Sequence, residues 1–296
     1  MATRTEATPP LGGDGPLIEV HAHFLHEGCG RGDWREVNAA RLRAGKAIGI
    51  SCHVASILGS WGFTSPTYFP SPADATRAND EMLALQRQEG VRVRTYVVVN
   101  PNFPSHAVAE IGRCANLGAI GVKLAASRRA DDALLDDICV EARRQGFPIL
   151  HHVWQWRRRD WPNQEASDGV ELGRLAARHP NVNFILAHIG GGGDYAHTFH
   201  AVRDLPNVYL DLSGSGVDRG MLDDALAFVT AERLLWGSDV TMETGLAKLR
   251  ALEVIGLAMA QRDAIRWRNA LRIFPRGSFP AVERETAAGF RGGPKR

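Results

Sequence analysis

Several large classes of protein are excluded by what this sequence lacks. Only four cysteines occur in 296 residues (Cys29, Cys52, Cys114, Cys139), and none forms a C-x-x-C pair. A chain this long with so few thiols has no disulfide framework, and Cys52 and Cys139, set in apolar runs, read as small buried hydrophobes. Charge of one sign is also missing: 35 basic residues against 33 acidic ones leave a net +2, no electrostatic footprint for nucleic acid. No apolar run reaches the roughly eighteen residues of a membrane span. The first fifteen residues are rich in Thr, Pro and Gly without an apolar segment. Residues 1–16 therefore read as a disordered leader rather than a signal peptide. The expectation is a cytoplasmic protein that acts on a small molecule, with neither nucleic acid nor membrane as partner.

What is present is a regular alternation. Short β-branched runs at 17–23, 49–57, 92–99, 119–124, 148–153, 183–188, 208–212 and 234–239 read as strands. Between them, helical patterns cover 71–89, 104–117, 131–145, 169–179, 192–203 and 218–231. Several stop at Gly90, Gly118, Gly146 or Pro180, usual helix ends. Eight βα repeats in one chain of this length predict a single-domain (β/α)8 TIM barrel over residues 17–275. A doubly wound sheet would carry a Gly-rich phosphate turn after the first strand, and none is there. Residues 245–260 and 263–274 read as closing helices, and 276–296 as a partly disordered C-terminal extension.

In such barrels the chemistry collects at the carboxyl ends of the strands. His21 and His23 end the first run, and in a strand residues i and i+2 share a face, so His-x-His aims two imidazoles at one point. His151 and His152 end the fifth run, His188 the sixth and Asp239 the eighth. Each follows its apolar run immediately. Imidazole and carboxylate gathered at one barrel mouth predict a divalent metal site.

The segments Val20-His21-Ala22-His23, Pro148-Ile149-Leu150-His151-His152, Ala187-His188-Ile189-Gly190-Gly191, Trp236-Gly237-Ser238-Asp239 and Asn269-Ala270-Leu271-Arg272-Ile273-Phe274 carry a resemblance. In this order they resemble the amidohydrolase superfamily, in the branch called amidohydrolase family 2. That branch holds metal-dependent hydrolases, lactonases and decarboxylases of the aminocarboxymuconate-semialdehyde type. The resemblance implies that His21, His23, His152 and Asp239 bind the metal, His152 being preferred to His151 by its distance from Pro148. It further implies that His188 completes a second metal site or acts as general acid/base, and that Asp239 also takes a proton from metal-bound water. Lys123, at the end of the fourth strand, would either bridge two metals as its carbamate or pair as an ammonium with Asp239 or a substrate carboxylate. The family's acidic residue before His-x-His is here Glu19, which by alternation would share the histidines' face at a deeper level. Some decarboxylases of the branch replace the first histidine by Glu; keeping both leans toward hydrolysis.

Other polar residues compete for attention. His53 reads as a hydrogen-bonded core residue and Asp211 as a group behind the site, while His26 and Asp33 simply follow the first strand. Trp154, Trp156, Arg157, Arg158, Arg159 and Trp161 crowd one loop, with Trp154 and Arg157 as candidates to bind a planar or carboxylated substrate. The Gly190–Gly193 run lets the backbone approach the pocket closely. The expected function is metal-dependent hydrolysis of a small ester, lactone or amide through metal-activated water, with zinc first and manganese, iron or cobalt also suited. The alternative is metal-dependent, non-oxidative decarboxylation of an aromatic or muconate-like acid. A barrel that only binds would have lost these ligand types. A homodimer is the default assembly.

Overall fold

Eight strands pair in chain order, all parallel: β1 (Leu17–His23), β2 (Ile50–Ser56), β3 (Val93–Val99), β4 (Gly121–Leu124), β5 (Ile149–His152), β6 (Phe184–Ala187), β7 (Val208–Asp211) and β8 (Leu234–Leu235). This is the (β/α)8 barrel expected from the repeat pattern. The computed structural model describes residues 15–57, 65, 68–153, 165–189, 195–214, 219–239 and 242–289. Helices α1 (Trp34–Ala47), α2 (Pro72–Glu89), α3 (Pro104–Asn116), α4 (Asp136–Gln145), α5 (Gly169–Arg178), α6 (Tyr195–Val202), α7 (Arg219–Phe228) and α8 (Met242–Val254) follow the strands in turn. Between β8 and β1, Val20 N–H donates to Trp236 O (3.0 Å) and Asp239 N–H to His21 O (2.8 Å), which closes the ring. Among the described residues no helix is long and apolar enough to cross a membrane.

Local chemistry sets the element ends. The Ser71 hydroxyl accepts from Asp74 N–H at the start of α2, with Pro72 in its first turn. Asp168 and Glu171 form a capping box on α5, and Gly146, at φ +69°, ends α4 in the left-handed region.

Two layers of core result. Val97, Val99, Leu124, Ile149, Phe184 and Leu186 face outward and pack under the helices. Ile18, Val20, Val54, Tyr96, Leu150, Ile185 and Leu235 fill the barrel interior. The amino-terminal end of the barrel is covered by the late helices α10 (Asn269–Ile273) and α11 (Pro280–Gly289), preceded by the exposed α9 (Met259–Asp263) and a π-helical turn at Ala264–Arg268. Phe274 and Phe279 stack edge to face at 5.4 Å and reach the same interior cluster, leaving only the carboxyl-terminal mouth for chemistry.

Candidate metal centre

Strand β1 does not alternate strictly. Glu19 pairs with His53 and Ala22 with Ala55, so Val20 and His21 together face the single residue Val54. This bulge turns both Val20 and His21 into the barrel, and the Tyr96 hydroxyl donates to the carbonyl of Val20 beside it (2.8 Å). The expectation that Glu19 shares the histidines' face is corrected: on the far side of the bulge, Glu19 points outward. There it accepts from Arg41 of α1 (2.7 Å) and binds His53 and Ser238, all buried. His53 is thus the hydrogen-bonded core residue that its position suggested.

Past the bulge, His21 and His23 both enter the mouth. His21 Nδ1–H donates to Asp211 Oδ2 (2.8 Å), and His23 Nδ1–H donates to the Ser56 carbonyl (3.1 Å). Those two acceptors have no proton to give, so each ring's remaining nitrogen, Nε2, presents its lone pair. The two Nε2 atoms stand 3.1 Å apart, with Asp239 Oδ1 at 3.2 Å from His23 and 3.6 Å from His21. Three electron-rich atoms converging so closely repel one another unless positive charge lies near them; the Lys123 ammonium, 3.0 Å from His21 Nε2, supplies part of it, and about 3 Å is also the spacing of atoms that share one small metal ion. His188 joins from β6: its Nδ1 lies 3.7 Å from Asp239 Oδ2, and ligand atoms of His21, His188 and Asp239 all fall within 4.8 Å of one another. The donor set fits a divalent metal.

Burial tunes the rings toward that role. It pushes the imidazoles of His21, His23 and His152 below their ordinary range and that of His188 to about 4, which keeps them neutral at pH 7. Burial drives the carboxyl of Asp211 the other way, but His21 and His188 outweigh it and hold the group at about 2. Asp239 is held well below the carboxylate range by the same contest, burial against His188, His23 and His21. Its side chain keeps 24% of its surface, so it is the ligand-type group that faces the open mouth.

Backbone strain marks the same place. His188 (φ +67°) and Asp239 (φ +61°) sit in the left-handed region that side chains other than glycine rarely adopt. Holding both there aims the side chains inward where β6 and β8 end.

The neighbours of these groups complete the mouth. His152 points inward and meets His188, Nδ1 to Nε2, at 3.1 Å, whereas His151 shows the opposite face and hydrogen bonds the carbonyl of His152 (2.8 Å). Lys123 is fully buried inside the barrel, and its ammonium donates to His21 Nε2 (3.0 Å). Burial pushes that lysine down to about 8, against the pull of Asp239 and Asp211. Tyr68 lies over the mouth with its ring 5.1 Å from that of His152 and packed on Val98 and Ala125. The sequence reading did not single out Tyr68; an aromatic residue between Pro66 and Pro70, in a loop leaving a strand's carboxyl end, was its signal.

The remaining candidates fall elsewhere. His26 caps a short turn by accepting from Gly28 N–H (3.2 Å), and Asp33 pairs with Arg31 on the surface. Trp154, Arg157 and their loop, the Gly190–Gly193 run, residues 1–14 and residues 290–296 lie outside the described residues.

A family model described as amidohydrolase matches residues 18–276. The fold resembles that of 2,6-dihydroxybenzoate decarboxylase from Rhizobium, at TM-score 0.69 and 20% identity over 88% of this chain and 98% of the other. For 5-carboxyvanillate decarboxylase from Sphingomonas paucimobilis the values are 0.67 and 17%, over 88% and 98%. For the dihydroxybenzoic acid decarboxylase of Polaromonas sp. JS666, solved with manganese and 2-nitroresorcinol, they are 0.65 and 18%, over 88% and 96%. A search of curated proteins returns no match.

Proposed function

Since the chain belongs to the amidohydrolase family, matched from residue 18 to 276, we propose that it is a metal-dependent enzyme that decarboxylates a small phenolic carboxylic acid without oxidation. The observation that carries this reading is the shape of the mouth. Asp239 is open to it beside His21, His23 and His188, while Tyr68, half-buried on Val98 and Ala125 and next to His152, offers an aromatic ring on which a planar substrate can stack. The likeness to three decarboxylase folds supports it further. This reading takes the place of hydrolysis as the leading one.

His21, His23 and Asp239 would hold the metal, with His188 or His152 as the further ligand from β6 or β5. Manganese, which one of the similar structures contains, suits the set as zinc does. A divalent ion bound there supplies a Lewis-acid centre for the acid's carboxylate and neighbouring oxygen. Tyr68 stacks on the ring and keeps water from that face. The bond between ring carbon and carboxylate breaks, its electron pair stays on the ring carbon, and carbon dioxide leaves. The ring carbon takes a proton that the Asp239 carboxylate, held ionised at pH 7, first accepts from the substrate's phenol hydroxyl, with His188 Nδ1 standing 3.7 Å from Asp239 Oδ2.

Hydrolysis of an ester, lactone or amide remains the second reading, favoured by the intact His-x-His pair and by Lys123 within 3.0 Å of His21 Nε2. In that case Asp239 takes the proton from the attacking water. One experiment separates the two. Protein loaded with Mn²⁺ is incubated in D₂O with a panel of hydroxybenzoic acids and, separately, with lactones. Release of carbon dioxide with one deuteron placed on the ring is the expected result. Intact acids together with opened lactones would overturn decarboxylation in favour of hydrolysis.

A further inference from the structure

Helix α8 carries a lysine on its inner face. Lys248 is 2% exposed, on the side of the helix that also buries Leu249 and Leu252. The helix lies unusually close to the barrel there. A Cβ on Gly245 would stand 2.5 Å from the Cβ of Ser238, and the Gly245 carbonyl accepts from Trp236 Nε1 (3.2 Å). One turn further on, the Lys248 ammonium reaches the backbone that leaves β7 and donates to the carbonyls of Ser213 (2.8 Å) and Gly214 (2.6 Å). Removing an ammonium from water costs several kcal/mol unless its new partners are well placed. A lysine kept in such a position must be holding something.

What it holds is the turn behind the metal centre. Ser213 Oγ lies 3.0 Å from His21 Nδ1 and 3.1 Å from His188 Nδ1, so one hydroxyl touches both rings. Ser213 N–H donates to Asp211 Oδ1 (2.5 Å), which steadies the carboxylate that orients His21. Gly214, at φ +91°, presses on His188, for a Cβ there would lie 3.0 Å from the Cβ of His188. Any shift of this turn is transmitted to both imidazoles.

We propose that Lys248 is a positioning residue: by clamping the Ser213 and Gly214 carbonyls from behind, it holds Ser213 Oγ where it fixes the rings of His21 and His188. The proposal rests on the reading of those histidines as part of a metal centre. Partners that orient metal-ligating histidines typically change metal affinity or activity by about 10–100-fold when removed.

The test compares wild type with Lys248→Met and with Lys248→Gln, which keeps one neutral donor. Two readouts are used: Mn²⁺ affinity from electron paramagnetic resonance titration, and histidine ring ¹⁵N spectra of the metal-free protein. Lys248→Met should melt cooperatively, bind Mn²⁺ about 10–100-fold more weakly and show His21 and His188 as exchange-broadened, mixed tautomers. Lys248→Gln should lose less, and it carries the test if the Met variant does not fold. On a Ser213→Ala background, where the hydroxyl is already gone, Lys248→Met should add no more than about a twofold change. The proposal is overturned if ring spectra and affinity stay at wild-type values, or if the two substitutions act independently. Failure of the wild type to bind Mn²⁺ or Zn²⁺ would remove the metal reading instead, and the ring spectra alone would then decide the role of Lys248.

Discussion

The Nδ1–H of His21 ends on Asp211, a carboxylate 190 positions along the chain. That contact fixes the tautomer and leaves Nε2 as the ligand atom, so its loss reaches the metal without touching it. Asp211→Ala should weaken Mn²⁺ binding by about 10–100-fold, read by the same titration, with the secondary structure unchanged. Asp239→Asn should remove turnover, because it deletes both a ligand charge and the proton's partner; retained activity in that variant would exclude Asp239 from the chemistry. Tyr68 belongs to the substrate rather than the metal. Tyr68→Leu should raise KM for an aromatic acid by roughly 2–10-fold through lost stacking while Mn²⁺ affinity stays constant.

At the scale of elements, the bulge in β1 and helix α1 depend on each other. The buried face of α1 is Asn38, Arg41 and Gly45 rather than an apolar stripe, and Gly45 leaves room for the ring of His53. Glu19 is the anion that makes this face tolerable. Burial raises its carboxyl, yet Arg41 and His53 outweigh that and hold it at about 2. Glu19→Ala should cost about 3–5 kcal/mol by stranding the charge of Arg41, measurable by denaturant unfolding of the metal-free protein. A stability within the error of wild type would show that water or a rearranged partner compensates Arg41.

The whole molecule responds to acid through the same buried groups. His151 and His188 are pushed by burial from 6.5 to about 4. Between those values the unfolded chain binds the extra protons, so stability rises with pH and is lost as pH falls from 6.5 to 4. The depressed carboxyls of Glu19 and Asp211 add stability that is complete above 4.5 and drains as pH falls toward about 2. Thermal melts of metal-free protein should therefore fall in two steps. His151→Asn should make the upper step shallower without altering Mn²⁺ affinity, because His151 faces away from the centre. Metal works in the opposite direction: saturating Mn²⁺ should raise the midpoint, by about 2.7 kcal/mol of stability at a hundredfold excess over Kd.

Much of this was legible in the sequence. Short continuous apolar runs alternating with helices specify a barrel, since a parallel strand apolar on both faces needs the barrel interior on one side and a helix on the other. Side chains placed directly after such runs must lie at the mouth, which is why His21, His23, His152, His188 and Asp239 could be named together. The structure decided what depends on contacts between distant segments. It placed Glu19 outside, because a one-residue bulge breaks the alternation on which the sequence argument relied. It revealed α1, whose polar buried face offers no apolar period. It brought Tyr68 over His152 and Lys248 behind Ser213. Periodicity reports which face a residue occupies within its own element; it carries no information about the partner that face will meet, and at this centre the partners fix the protons.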